Sequence, residues 1–221
     1  MENVIKNYVD KCLEFVQEYR EYLMYVPFYE VAVLSEMQEI IDSEILCGKS
    51  TKVYVSQVDC TDYMVDIVSD RDTIWKAIDC VITDDDIIEL EKELNITLPV
   101  SYKCYLKYKF FYEIFWDLNV FLYPKPIGIW DRILIENNEE MKSEILDRGY
   151  FAIGRYSDYG IVALKLKENN EEGEVVLFDH ETSEIEILAP NFVEFLHQRL
   201  QKAKPVIKEL KDWEKKMYKM N

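Results

Sequence analysis

Glycine and proline are scarce, at six residues each in a chain of 221. That excludes a collagen-like, low-complexity or largely disordered protein. Cysteine is sparse too. Cys12, Cys47, Cys60, Cys80 and Cys104 are odd in number, and no pair is spaced Cys-x-x-Cys. Only two histidines occur, His180 and His197, neither beside a cysteine. No zinc-finger or redox pattern emerges, so neither a metal nor a catalytic cofactor is expected. Scattered cysteines fit small buried hydrophobes in a reducing compartment. Basic charge is also short: 26 Lys and Arg face 43 Asp and Glu, a net charge of −17. Nucleic-acid binding needs cations to displace counterions, which argues against that class. No apolar run of membrane-spanning length occurs. The first residues lack the basic-then-apolar order of a signal peptide. These features lead to the expectation of a cytoplasmic protein without membrane or nucleic-acid contact.

Apolar residues make up 49% of the sequence, enough for a substantial core. An acidic field of this size favours solubility and fast capture of basic partners. Residues 3–24 carry Ile5, Tyr8, Val9, Cys12, Val16, Tyr19 and Leu23 at helical spacing. Pro27 is read as the end of that helix. A second helix is expected over 30–46, a β-hairpin within 51–68 and a short helix over 72–81. Thr83-Asp84-Asp85-Asp86 is a helix start, with a hydroxyl cap and three carboxylates at the positive end of the dipole. Capping explains this run better than a metal site, since the carboxylates lack calcium-loop spacing. The helix should stop before Leu98-Pro99, with another from 101 to 112. Ten aromatic residues crowd the stretch from Tyr102 to Tyr123, and core packing accounts for them better than a stacking platform.

Pro124 and Pro126 mark an extended turn, and 132–147 reads as a helix. The strongest β signal follows, at 150–154, 160–167, 174–179 and 184–188, separated by polar turns. This predicts a meander with adjacent pairing, Ile185 and Ile187 buried and Glu184 and Glu186 exposed. Asn191 caps a closing helix with Phe192, Phe195, Leu196 and Leu200. The segment 204–221 holds six Lys against three acidic residues and reads as a basic amphipathic helix, expected to fold back onto the acidic body.

No catalytic constellation is visible. Gly-x-Ser-x-Gly, a phosphate-binding loop and Gly-x-Gly-x-x-Gly are all missing. Asp179 and His180 are neighbours on one strand end and point to opposite faces. The expectation is a non-catalytic binding protein. The turn Arg155-Tyr156-Ser157-Asp158-Tyr159-Gly160 sets two tyrosines beside a carboxylate, and Asp179 and Glu181 lie in a later turn, at the same end of the sheet or the opposite one. Tyrosine offers large contact area at low entropy cost and carboxylates attract a basic partner. Tyr156, Asp158, Tyr159, Asp179 and Glu181 are therefore the candidate partner-binding residues.

Two segments carry a family resemblance. The first runs Ile87-Ile88-Glu89-Leu90-Glu91-Lys92-Glu93-Leu94, then Leu98-Pro99, then Tyr102-Lys103-Cys104-Tyr105-Leu106. The second runs from Phe151-Ala152-Ile153-Gly154 through Gly160 and Glu174-Val175-Val176-Leu177-Phe178-Asp179-His180 to Asn191-Phe192-Val193-Glu194-Phe195-Leu196. Together they resemble the SUKH superfamily over residues 83 to about 200. The family's Asn-Gly-Gly turn is replaced here by Lys109-Phe110-Phe111-Tyr112, and its Ser before the final Phe by Asn191. The resemblance implies an α+β fold with an antiparallel or mixed sheet packed by helices. On it the chain divides into a mainly helical N-terminal extension with a possible β-hairpin (1–82), a SUKH-like domain (83–203) and the basic C-terminal helix (204–221). It also implies an immunity protein that neutralises a basic toxin domain, often a nuclease. The alternative is an intracellular regulatory or scaffold protein of the cell-wall-synthesis-regulator type.

Overall fold

The computed structural model describes residues 1–18, 25–27, 72–74, 77–111, 114, 116, 119–157 and 159–202. The expected helix at 30–46, the hairpin at 51–68 and the basic helix at 204–221 lie outside these residues. Helix α1 spans Glu2–Glu18, and a two-stranded pair follows from β1 (Tyr25–Pro27) and β2 (Asp72–Ile74). Pro27 thus closes a short strand rather than a helix, and the helix expected over 72–81 is replaced by β2 and a β-bridge from Ile78 to Phe110. Ile74 and Ile78 of that stretch are engaged in strand pairing, which a short run cannot signal by periodicity.

Helix α2 (Asp84–Leu94) begins as the sequence predicts. The Asp86 amide donates to Thr83 Oγ1 at 3.2 Å, and the Thr83 amide donates to the Asp86 carboxylate at 2.7 Å, a reciprocal capping box. Asn95 ends it in the left-handed region with φ 52°. Helix α3 (Val100–Leu106) is shorter than expected. Its end is fixed by Lys125, whose ammonium donates to the carbonyls of Tyr105 and Leu106 at 2.7 Å each and more distantly to that of Tyr108. These carbonyls lie at and just beyond the C-terminus of the helix, where the intrahelical ladder runs out. Phe110 and Phe111 then leave the helix as β-bridges to Ile78 and Lys125.

The remaining elements are β3 (Val120–Leu122), α4 (Trp130–Glu140), a 3-10 turn at Leu146–Arg148, β4 (Tyr150–Tyr156), β5 (Gly160–Lys165), β6 (Val175–Asp179), β7 (Ile185–Ala189) and α5 (Phe192–Lys202). The helix expected over 132–147 therefore stops at Glu140 and finishes as turns. Strands β3 to β7 form one antiparallel sheet in sequence order. The fold is α+β, and the adjacent pairing of the four predicted strands is as expected.

Phe151, Leu164, Val175 and Ala189 fall in one row across the sheet. Tyr102 of α3 meets the Phe151 ring edge-on at 5.7 Å, and Phe192 of α5 meets Tyr102 at 5.3 Å and Tyr105 at 5.4 Å. Tyr102, Tyr105, Phe110, Phe111 and Tyr123 are buried, so the described part of the aromatic stretch is mainly core, as read. Helix α4 packs on β4. There the Asn138 side chain acts as a strand partner at a bulge, accepting from the Ala152 amide at 2.7 Å and donating to its carbonyl at 3.0 Å. Helix α1 packs on α3 and α5, and its Ile5, Tyr8, Val9 and Cys12 belong to the same core.

One burial expectation fails. Glu184 and Glu186 are exposed as predicted, but Ile187 is 64% exposed and Ile185 only half-buried. The register shifts beside Leu188, so Val175 faces Ala189 while Val176 faces Ile187. The bulge makes Ala189 the buried residue of this edge strand. Among the described residues no helix is long and apolar enough to cross a membrane.

Candidate protein-binding surface

The β4–β5 and β6–β7 turns lie at the same end of the sheet. Gly160 pairs with Asp179, and the His180 amide donates to the Tyr159 carbonyl at 3.3 Å. Tyr156, Tyr159, Asp179 and Glu181 are therefore brought together, while Asp158 lies outside the described residues. Tyr156 and Tyr159 touch edge to face with centroids 5.9 Å apart. Tyr159 is 38% exposed and Tyr156 half-buried, so the pair is partly folded against itself and partly presented. The turn is pinned by Ser157, at φ 51°, whose amide donates to the Asn119 carbonyl at 2.7 Å. At Gly160 the backbone approaches Leu177 closely: a Cβ there would lie 2.3 Å from Leu177 Cδ1, so that side chain would have to turn aside for any larger residue.

Asp179 serves the second turn from within. Its Oδ1 accepts from the Glu181 amide at 2.8 Å and the Thr182 amide at 3.1 Å. These amides, Thr182 first, hold its carboxyl below the usual carboxylate range. Asp179 thus shapes the loop that carries Glu181, which is exposed. Beside both turns a groove of about 240 Å³ opens between α4 and the sheet, lined by Tyr123, Asn137, Glu140, Arg155 and His180 among others. Burial pushes the Tyr123 hydroxyl up to about 12, against the opposing pull of Arg155.

Two buried polar residues went unread in the sequence. Lys125, only 2% exposed, sits over the rings of Tyr105 at 5.1 Å and Phe111 at 5.2 Å while it caps α3. Burial pushes its ammonium down to about 7. Cys80 donates to the same Leu106 carbonyl at 3.3 Å, and burial raises its thiol. This is a helix clamp, sealed from solvent. Asn138 is the other. Its only signal was an amide in a stretch otherwise rich in glutamate. Among the described residues no group of three or more His, Cys, Asp or Glu is placed to hold a metal ion.

Several residues of the two motif segments have structural work. Tyr102 and Tyr105 fill the space between α3, α5 and the sheet. Ser101 donates from its amide and hydroxyl to the Glu172 carboxylate at 2.9 and 2.6 Å, and Lys103 bridges Glu91 at 2.7 Å and Asn170 at 2.9 Å. The first motif thereby ties α2 and α3 to the β5–β6 connection. The model of the SMI1 / KNR4 family (SUKH-1) matches residues 81–198, more than half of the chain. The chain belongs to that family. Its SUKH-1 region opens just before the capping box of α2 and closes within α5, so it coincides with the sheet and the helices around it. Helix α1 lies outside the matched SUKH-1 residues yet supplies part of their core. No curated protein matches the chain.

Proposed function

We propose that this SUKH-1 protein is a non-catalytic immunity protein that works in the cytoplasm by binding a basic toxin domain and blocking its site. The observation that carries the reading is the net charge of −17 on a member of this family. A nuclease must present a positive surface to hold phosphates, and an acidic inhibitor meets such a surface with complementary potential. The paired tyrosines at the turn end give that encounter a rigid contact beside exposed Glu181. No step of chemistry is asked of the chain.

The test is co-expression with the polypeptide encoded by the adjacent reading frame. Restored growth, together with a one-to-one complex by titration calorimetry, is the expected result. Growth arrest that persists despite soluble expression of both chains would overturn the immunity reading and favour the regulatory or scaffold alternative.

A further inference from the structure

Strand β7 is the last of the five-stranded sheet and pairs on one side only, with β6. The Asp179 amide donates to the Glu184 carbonyl at 3.0 Å, so Glu184 turns its backbone toward β6. Backbone direction alternates along an antiparallel strand. Glu186 therefore does the same, while Ile185 and Ile187 turn their amides and carbonyls away from the sheet. Those outward groups meet no backbone partner among the described residues. The bulge of this strand lies beyond them, beside Leu188, so the edge stays regular from Ile185 to Ile187. Ile187 is 64% exposed, more than any other large hydrophobic residue among those described. Glu184 and Glu186 alternate with the two isoleucines onto the opposite face, and both are exposed. Neither forms an ion pair among the described residues.

An open edge is completed by another strand, whose main chain supplies the missing donors and acceptors. The side chains of β7 select which strand fits. Apolar residues belong on the face of Ile185 and Ile187. Lysine or arginine belongs on the face of Glu184 and Glu186, because opposite charges attract across neighbouring strands and like charges repel. We propose that β7 is a strand-addition site for an extended segment of the protein partner in which basic and apolar residues alternate. A second copy of this chain fits worse, since it brings the same net charge of −17 to the edge. The inference rests on the basic-partner reading above and adds the place and form of the contact. Strand β7 leaves the turn that carries Glu181, so the edge continues the surface presented at that end of the sheet.

The experiment uses the full chain, isotopically labelled, and a short synthetic peptide of alternating lysine and valine. In the free chain the Ile185 and Ile187 amides should exchange with solvent fast and the Glu186 amide slowly. The peptide should slow exchange at Ile185 and Ile187 roughly tenfold or more. A matching peptide of alternating glutamate and valine should not bind. Ile187→Pro removes an outward donor at an edge position, where a strand tolerates proline, and should weaken the lysine peptide roughly tenfold or more. Glu184→Lys/Glu186→Lys should weaken it as well, whereas Glu89→Lys/Glu93→Lys, an equal change of charge on α2, should retain most of the affinity. The amide spectrum of each variant reports at once whether it is folded. Protection at another surface with β7 unchanged, or wild-type affinity in folded Ile187→Pro, would overturn the strand site and leave the basic-partner reading standing. Equal binding of both peptides at β7, or protection of β7 that grows with protein concentration alone, would overturn the basic occupant. Binding of neither peptide would overturn the strand site, and the basic-partner reading then answers to the co-expression test alone.

Discussion

Tyr105 is fully enclosed, and its hydroxyl has no hydrogen-bond partner among the described residues. A buried hydroxyl without a partner costs its desolvation and returns nothing. Tyr105→Phe should therefore leave stability unchanged or raise it by up to about 1 kcal/mol in urea denaturation. A loss of that size would reveal a bond that the hydroxyl makes in solution. Lys125 presents the opposite case, a buried cation with three carbonyls and two ring faces around it. Its folded value of about 7 lies below the value of roughly 10.4 in an unfolded chain. Below pH 7 both states hold the proton, and the folded state carries the full cost of the buried charge. Between the two values only the unfolded chain holds it, so this group's contribution to stability rises with pH and levels off above the unfolded value. The stability of wild type minus that of Lys125→Met should climb from pH 7 toward pH 10. A flat difference would mean that the carbonyls keep Lys125 charged throughout.

At the scale of elements, the two sheet turns are the proposed contact with the partner. Tyr156→Ala and Tyr159→Ala should each cost roughly 1–3 kcal/mol of partner binding. Tyr159, the more exposed, should cost less stability than Tyr156, and calorimetry of binding beside thermal melts separates the two effects. Affinity equal to wild type in both variants would remove the turn end from the interface. The meander was legible because its strands alternate and are punctuated by polar turns, and α2 because Thr83 and Asp86 form a cap that depends on local spacing alone. What stayed hidden depends on distant partners. The early end of α3 is set by Lys125, about twenty residues away in sequence, read only as part of a turn between two prolines. The exposure of Ile187 follows from a bulge and an edge position, neither written in the alternation of the strand itself. The common end shared by Tyr159 and Asp179 is a property of meander topology, and it was the pairing of Gly160 with Asp179 that brought the candidate residues together.

At the scale of the molecule, α1 is part of the body that the family match covers only from residue 81. Tyr108 donates to the Asp10 carboxylate at 2.8 Å across that contact. Burial, aided by that carboxylate, pushes the Tyr108 hydroxyl up to about 12. Ile5→Ala, which opens a cavity at a residue only 1% exposed, should lower the melting of the whole sheet domain by about 2 kcal/mol or more in one cooperative transition. A separate early transition with an unshifted main one would make α1 an independent appendage. The acidic charge acts at the same scale, because its field extends beyond any one loop or groove. The central claim is that this field captures a basic protein and holds it without chemistry. The most direct test is the association rate of the full chain with the protein encoded beside it, measured by stopped flow across a range of ionic strength. The account predicts a one-to-one complex whose association slows steeply as salt rises, while its dissociation rate changes little. An association rate indifferent to salt, or a partner altered covalently after mixing, would contradict it.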